Sequence, residues 1–410
     1  MPSNEQAFVW TWLPGADAPV VAGSVYQVGP ELRFNYGQTY LGRTDAIALQ
    51  PVGLPLEEGG QRPDIGLDAH GVIRDAAPDS WGMQVILRRR IGINAQDTDE
   101  LPLLTYLLES GSNRVGGLDF QTSSDHYEAR TTDGTLVELV EAGERLARGL
   151  PYSEELDDVL TYGTAIGGAR PKALLADGDR QLIAKFSVST DTFRWMEAEA
   201  VGMELARRCG VSVAPTELTR AADRDVLLVN RFDRPGAGTR RQVLSALTLL
   251  GLPELAARHA TYVDLAEQVR LGFDSPDATL DELFRRIVVN VLVGNTDDHA
   301  RNHAAFWDGT RLSLTPAFDI CPQPRSTGEA TQAMAFGNDD ERRSRLAACV
   351  GAAAIYQLSP RAASDIVEES TAVVVDQYED VCASVGVTEF AKDLLWQRAV
   401  ANPSVFYPLD

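Results

Sequence analysis

Residues 294–302 read GNTDDHARN and follow a nearly unbroken apolar run at 283–293. Such a run at helical length marks a buried helix, and Gly294 is the residue type that closes one. Directly after it stand Asn295, Thr296, Asp297, Asp298, His299, Arg301, Asn302 and His303. A buried helix that delivers this many polar groups points to chemistry rather than to a plain turn. Asp297 and Asn302 have the D-x-x-x-x-N spacing of a phosphoryl-transfer catalytic loop, where the aspartate takes the acceptor hydroxyl's proton and the asparagine holds Mg²⁺. A second reading uses Asp297, His299 and His303 as ligands for Zn²⁺ or Mn²⁺. It leaves the rest of the chain's polar signals without a task.

Those signals lie on either side. Downstream, Asp319 sits in the apolar segment PAFDI (316–320), where a second Mg²⁺-binding carboxylate of a phosphotransferase belongs. Upstream, Lys185 interrupts the strand-like run QLIAKFSV (181–188), and a lysine within a buried strand needs a partner or a ligand. Glu199 follows on a helical pattern at 195–209 and is placed to hold that lysine; Glu197 lies on another face. Earlier still, GTAIGGA (163–169) contains Gly167 and Gly168, whose backbone N–H groups suit phosphate, with Arg170 and Lys172 close by. The plain alternatives are a surface turn for the glycines and a solvent-facing edge position for Lys185.

Composition bounds the rest. The 410 residues allow two or three domains, and 44% hydrophobic with 23% charged residues is ordinary for a globular protein. A formal net charge of −22 opposes autonomous DNA binding, because such a surface repels phosphate backbones. The short basic clusters at 88–90, 240–241 and 342–343 read as solvated faces. Cys209, Cys321, Cys349 and Cys382 form no CxxC pair and fit a reduced, cytoplasmic setting. No apolar run reaches membrane-spanning length, and the first residues lack a secretory pattern.

Strands are expected at 8–13, 32–35, 47–50, 181–188 and 226–232, and helices at 81–90 (capped by Asp79 or Ser80), 136–147 and 195–209. Further helices are expected at 245–250, 262–271, 280–293, 362–384 and 389–401. A polar stretch at 121–134 reads as a boundary. The expectation is an α+β, atypical protein-kinase-like two-lobed fold. It divides into a β-rich N-terminal subdomain (1–130), an N-lobe with the glycine-rich loop and lysine (131–236), and a helical C-lobe with the catalytic loop (237–410).

At this point the chain resembles a known family, the HipA serine/threonine kinases of bacterial toxin–antitoxin pairs. The resemblance rests on GGARPK (167–172), VNRFDR (229–234), residues 294–302 and FDI (318–320), with APDSWG (77–82) and RVGGL (114–118) in the N-terminal part. It implies ATP and Mg²⁺ as cofactors. It also implies Lys185 on the ATP phosphates, Asp297 as catalytic aspartate, and Asn302 and Asp319 as metal ligands. The Asn230–Phe232 backbone would then meet adenine, and Asp233 the ribose. Expected partners are a small helix-turn-helix antitoxin, through which DNA is reached indirectly, and a protein substrate such as an aminoacyl-tRNA synthetase. One departure stands out: Ala165 occupies the place of the loop serine that the family autophosphorylates, with Thr164 beside it as a replacement or as a simple turn residue. The alternatives are a kinase-fold enzyme acting on a small molecule, and a catalytically weak corepressor of a DNA-binding antitoxin.

Overall fold

Alternating burial along residues 6–36 builds the first sheet. β1 (Gln6–Thr11), β2 (Val20–Val28), β3 (Glu31–Tyr36) and β4 (Leu118–Gln121) are antiparallel in the order β3-β2-β1-β4. In β3, Leu32, Phe34 and Tyr36 turn inward while their neighbours stay half-exposed, the period-2 pattern of a sheet with one buried face. The computed structural model describes residues 5–409, apart from 93–96, 99–100, 132–133, 151–170, 179, 237 and 326–327. The chain clusters into two units. One comprises Met1–Asp191, Arg220–Leu244 and Phe306–Thr310; the other comprises Thr192–Thr219, Ser245–Ala305 and Arg311–Asp410. The expected boundary near residue 130 therefore falls inside the first unit, and residues 192–219 join the second.

In the first unit, α1 (Ser80–Ile91) is capped by Asp79, whose Oδ1 accepts the Gly82 N–H at 2.7 Å. α2 (Leu136–Ala147) starts with a reciprocal capping box between Thr135 and Glu138. A second antiparallel sheet has β6 (Arg180–Phe186) between β5 (Lys172–Asp177) and β7 (Arg224–Asn230). Leu139 and Val140 of α2 pack against Ala173, Ala184, Phe186 and Val226 of this sheet. Removing a fully buried ring such as Phe186 would cost about 3–5 kcal/mol.

Residues 47–50 correct an expectation, because they form no strand. Their backbone groups are satisfied by side chains instead. The Tyr40 hydroxyl donates to the Ile47 carbonyl at 2.8 Å, Leu49 N–H donates to the Tyr36 hydroxyl at 2.9 Å, and the Trp307 indole donates to Ala48 O at 2.7 Å. With those bonds made, no ladder is required.

The second unit is mainly helical, with α3 (Trp195–Arg208), α4 (Tyr262–Gly272), α5 (Pro276–Val293), α6 (Pro360–Val385) and α7 (Glu389–Arg398). α5 packs against α3, α4 and α6 and is wholly buried from Ile287 to Val293, hence its apolar run. α7 stops short of the expected residue 401, where the Ala401 N–H instead bonds Leu292 O at 2.8 Å. No helix among the described residues is long and apolar enough to cross a membrane. The four cysteines are unpaired with one another; burial pushes the Cys209 thiol up to about 12.

Candidate active site

The catalytic-loop candidate begins where α5 ends. Gly294 closes the helix in the left-handed region, with φ +75°, and an added Cβ there would lie 2.7 Å from Ala399 O. Its carbonyl accepts from Gln323 N–H at 3.0 Å, and Thr296 O accepts from Ala333 N–H at 3.1 Å, so the loop is held along its backbone.

The two adjacent aspartates then part company. Asp297 is exposed, while Asp298 is buried. Asp298 accepts from Asn290 Nδ2 at 2.8 Å and from the Tyr262 hydroxyl, and its Oδ1 lies 3.0 Å from His303 Nε2. Asn295 extends the network by donating to Asn290 Oδ1 at 3.0 Å. Burial alone would raise the Asp298 pKa, but His303 and the hydrogen bonds outweigh it and hold the carboxyl below its ordinary value. The Tyr262 hydroxyl is pushed well up, by burial first and by the Asp298 charge second. Asp298, Tyr262 and Asn290 were not identified as a unit from sequence; the signal available was an asparagine inside an otherwise apolar helix.

Asn302 lies in a short 3-10 turn after Asp298 and is buried, and its side chain hydrogen-bonds no described residue. Asp319 has φ +62°, an uncommon left-handed backbone for a residue other than glycine. α3 seats the turn that follows, since a Cβ at Gly202 would lie 2.2 Å from Ile320 O. A buried, unengaged carboxamide and a carboxylate on a constrained turn are hard oxygen donors of the kind that share Mg²⁺ with phosphates and water. On α3 both Glu197 and Glu199 are buried, and Glu197 accepts the Thr388 N–H at 2.9 Å as part of the α7 cap. Among the described residues there is no cluster of three or more His, Cys, Asp or Glu able to hold a metal, and His303 Nε2 faces Asp298 and Tyr262. The Zn²⁺ or Mn²⁺ reading therefore has no support.

The first unit carries the lysines. Lys185 is half-buried on β6 and stands opposite Lys172 in the β5–β6 register. Like charges directly opposed repel, so the pair requires anions. Asp79 supplies one, its Oδ2 3.7 Å from Lys172 Nζ. Burial still pushes the Asp79 carboxyl up to about 7, with Lys172 and the Gly82 N–H only partly offsetting it. Thr164, Ala165, Gly167 and Gly168 lie outside the described residues.

Asn230 ends β7 opposite Leu182, and the Phe232 ring meets Phe306 edge-on with centroids 5.7 Å apart. Asp233 is engaged within the protein. Its buried carboxylate accepts from Arg231 Nε at 2.9 Å, Arg231 NH2 at 2.7 Å, Arg234 NH1 at 2.8 Å and Gly116 N–H at 2.8 Å. A carboxylate offers about four acceptor positions. With three donors on Oδ2 and one on Oδ1, Asp233 ties the 229–234 segment to the 114–118 segment. Burial would raise its pKa, yet Arg231 and Arg234 hold it far below the carboxylate range. Arg114, also fully buried, pairs with Asp119 at 2.9 Å within the same region.

Comparison with known proteins bears on the fold and the family. HipA of the Shewanella oneidensis MR-1 toxin–antitoxin system, solved with HipB and its operator DNA, aligns over 95% of this chain and 94% of its own with a TM-score of 0.66. At 16% identity that likeness concerns the fold: an atypical kinase-like arrangement of mixed sheet and helix. The HipA-like C-terminal domain family matches residues 164–378, more than half the chain, which therefore belongs to the HipA family of kinases. A putative kinase of Sinorhizobium fredii, Y4mE, is 28% identical over 202 residues. That match covers 44% of this chain and about half, 48%, of the relative's length.

Proposed function

We propose that this chain is an ATP-dependent serine/threonine protein kinase and the toxin of a toxin–antitoxin pair. The observation that carries the reading is the split between neighbouring aspartates: Asp298 is locked in a buried network while Asp297 is presented to solvent. A group that accepts a proton from an arriving hydroxyl must be accessible yet held in place. Asp297 is assigned that role. Lys185, with Lys172 on the adjacent strand, takes the nucleotide phosphates, and Glu199 is assigned as the lysine's acidic partner. The 230–232 backbone takes the adenine. Asn302 and Asp319 would hold Mg²⁺, which supplies charge neutralisation at the transferring phosphoryl group. Asp233, whose Oδ1 accepts one hydrogen bond among the described residues, is assigned to the ribose. A small DNA-binding antitoxin is the proposed partner, by analogy with the complex in which the Shewanella protein was solved. A protein substrate in translation, such as an aminoacyl-tRNA synthetase, is the proposed target, and the cytoplasm the proposed location. The charge of −22 favours DNA contact through that partner.

The test is phosphoproteomics and growth in cells expressing the wild type or Asp297→Gln. Loss of both phosphate transfer and growth arrest in the variant is expected. Unchanged arrest would overturn the kinase-toxin reading.

A further inference from the structure

Four arginines of the described chain are buried: Arg114, Arg231, Arg286 and Arg325. Three have carboxylates, with Arg114 on Asp119, Arg231 on Asp233 and Arg286 on Glu282. Arg325 has none among the described residues. Its NH2 donates to Ser344 Oγ at 3.0 Å, its NH1 stands 3.5 Å from Ser404 Oγ, and its buried Nε has no hydrogen-bond partner among the described residues. Burial alone pushes the guanidinium's pKa down, with no anion offsetting it. A buried charge that lacks a counter-ion is costly.

Ser344 and Ser404 are also the buried floor of a cavity of about 310 Å³ in the second unit. Its mouth is formed by Glu329, Thr331, Arg343 and Arg345. The walls are held by Ser344 N–H on Ala330 O at 2.9 Å and by a bridge between Thr331 and Arg343. Ser344 Oγ accepts from both Arg325 NH2 and Gln332 Nε2, each at 3.0 Å. A hydroxyl has two acceptor lone pairs and one donor. Both lone pairs are used, and the O–H has no acceptor among the described residues. The cavity thus has an undirected donor on its floor and an uncompensated cation one hydrogen bond behind it. Two further arginines stand at its rim, where Glu329 pairs with Arg345 and Glu341 with Arg343. Among the described residues named here, Arg325 is the cation without a carboxylate, in a chain whose net charge is −22.

We propose that this cavity is an oxyanion site for a phosphoryl group, with Ser344 as donor and Arg325 as the counter-charge behind it. Its volume is at the low end for ligand sites, so it admits a phosphate or a phosphorylated side chain rather than a large molecule. Free phosphate and a phosphorylated residue share this chemistry.

The experiment measures binding of inorganic phosphate and of O-phosphoserine to the full chain by calorimetry, with melting temperature followed in parallel. Variants are Arg325→Gln, Arg325→Lys, Ser344→Ala and, as a control at the proposed nucleotide site, Lys185→Met. Arg325→Gln and Ser344→Ala are expected to weaken binding about tenfold or more. Lys185→Met should leave it unchanged, and Arg325→Lys should retain part of it. Because the charge is uncompensated, Arg325→Gln should not lower the melting temperature in phosphate-free buffer, whereas it should abolish the rise that phosphate causes in wild type. Tighter binding of phosphoserine than of phosphate assigns the site to a phosphorylated side chain, and equal binding to free phosphate. No binding by wild type, loss in Lys185→Met alone, or a lowered melting temperature of Arg325→Gln without phosphate dependence would each overturn the proposal.

Discussion

Two loops are each organised around a buried aspartate, and they are built to opposite ends. In the first unit Asp233 gathers Arg231, Arg234 and the Gly116 N–H through charge-assisted bonds. In the second, Asp298 gathers Tyr262, Asn290 and His303, and the residue before it remains exposed. The arginine knot is a fastener between two distant sequence segments. The Asp298 network is a mount, whose use lies in what it presents.

The largest effect should come from the presented residue. Asp297→Asn is expected to reduce phosphate transfer about 10²–10⁴-fold in a kinase assay while shifting unfolding free energy by less than about 0.5 kcal/mol. A comparable loss of stability would mean that Asp297 belongs to the mount. Asp233→Ala should destabilise by about 3–5 kcal/mol in denaturant unfolding, because it strands two buried guanidiniums. If it were neutral, the knot would not be a fastener. Asp298→Asn should cost about 2–3 kcal/mol and also lower kcat, since its NH₂ group would face the Asn290 or Tyr262 donors. A smaller effect comes from acid. Asp298 is held below its ordinary value of 3.8, so the native state binds fewer protons than the unfolded chain just beneath that pH. Its stabilisation is present above about pH 4 and is lost as pH falls. Melting temperature against pH should be less steep there in Asp298→Asn than in wild type. Last, Gly294→Ala should cost about 1–2 kcal/mol from its φ and the approach of Ala399 O.

Much of this was legible beforehand for a physical reason. The helices at 136–147 and 195–208 and strand β6 follow from local periodicity, and Asp79 and Gly294 are local punctuation. The failures come from non-local bonding. Residues 47–50 look like a strand, but their backbone is satisfied by Tyr36, Tyr40 and Trp307. The partners of Asp233 are also partly non-local, since the Gly116 N–H is one of its donors.

By itself the sequence determined the order of the parts: Lys185, Glu199, Asp297, Asn302 and Asp319, with an apolar helix leading into the polar loop. Order and periodicity are properties of the chain, so they need no coordinates. Which of two adjacent aspartates is buried, which buried arginine has no carboxylate among the described residues, and which carboxylate gathers two arginines were decided by the tertiary structure. Burial and pairing depend on groups brought from more than a hundred residues away, as Gly116 is to Asp233, and no local pattern encodes them.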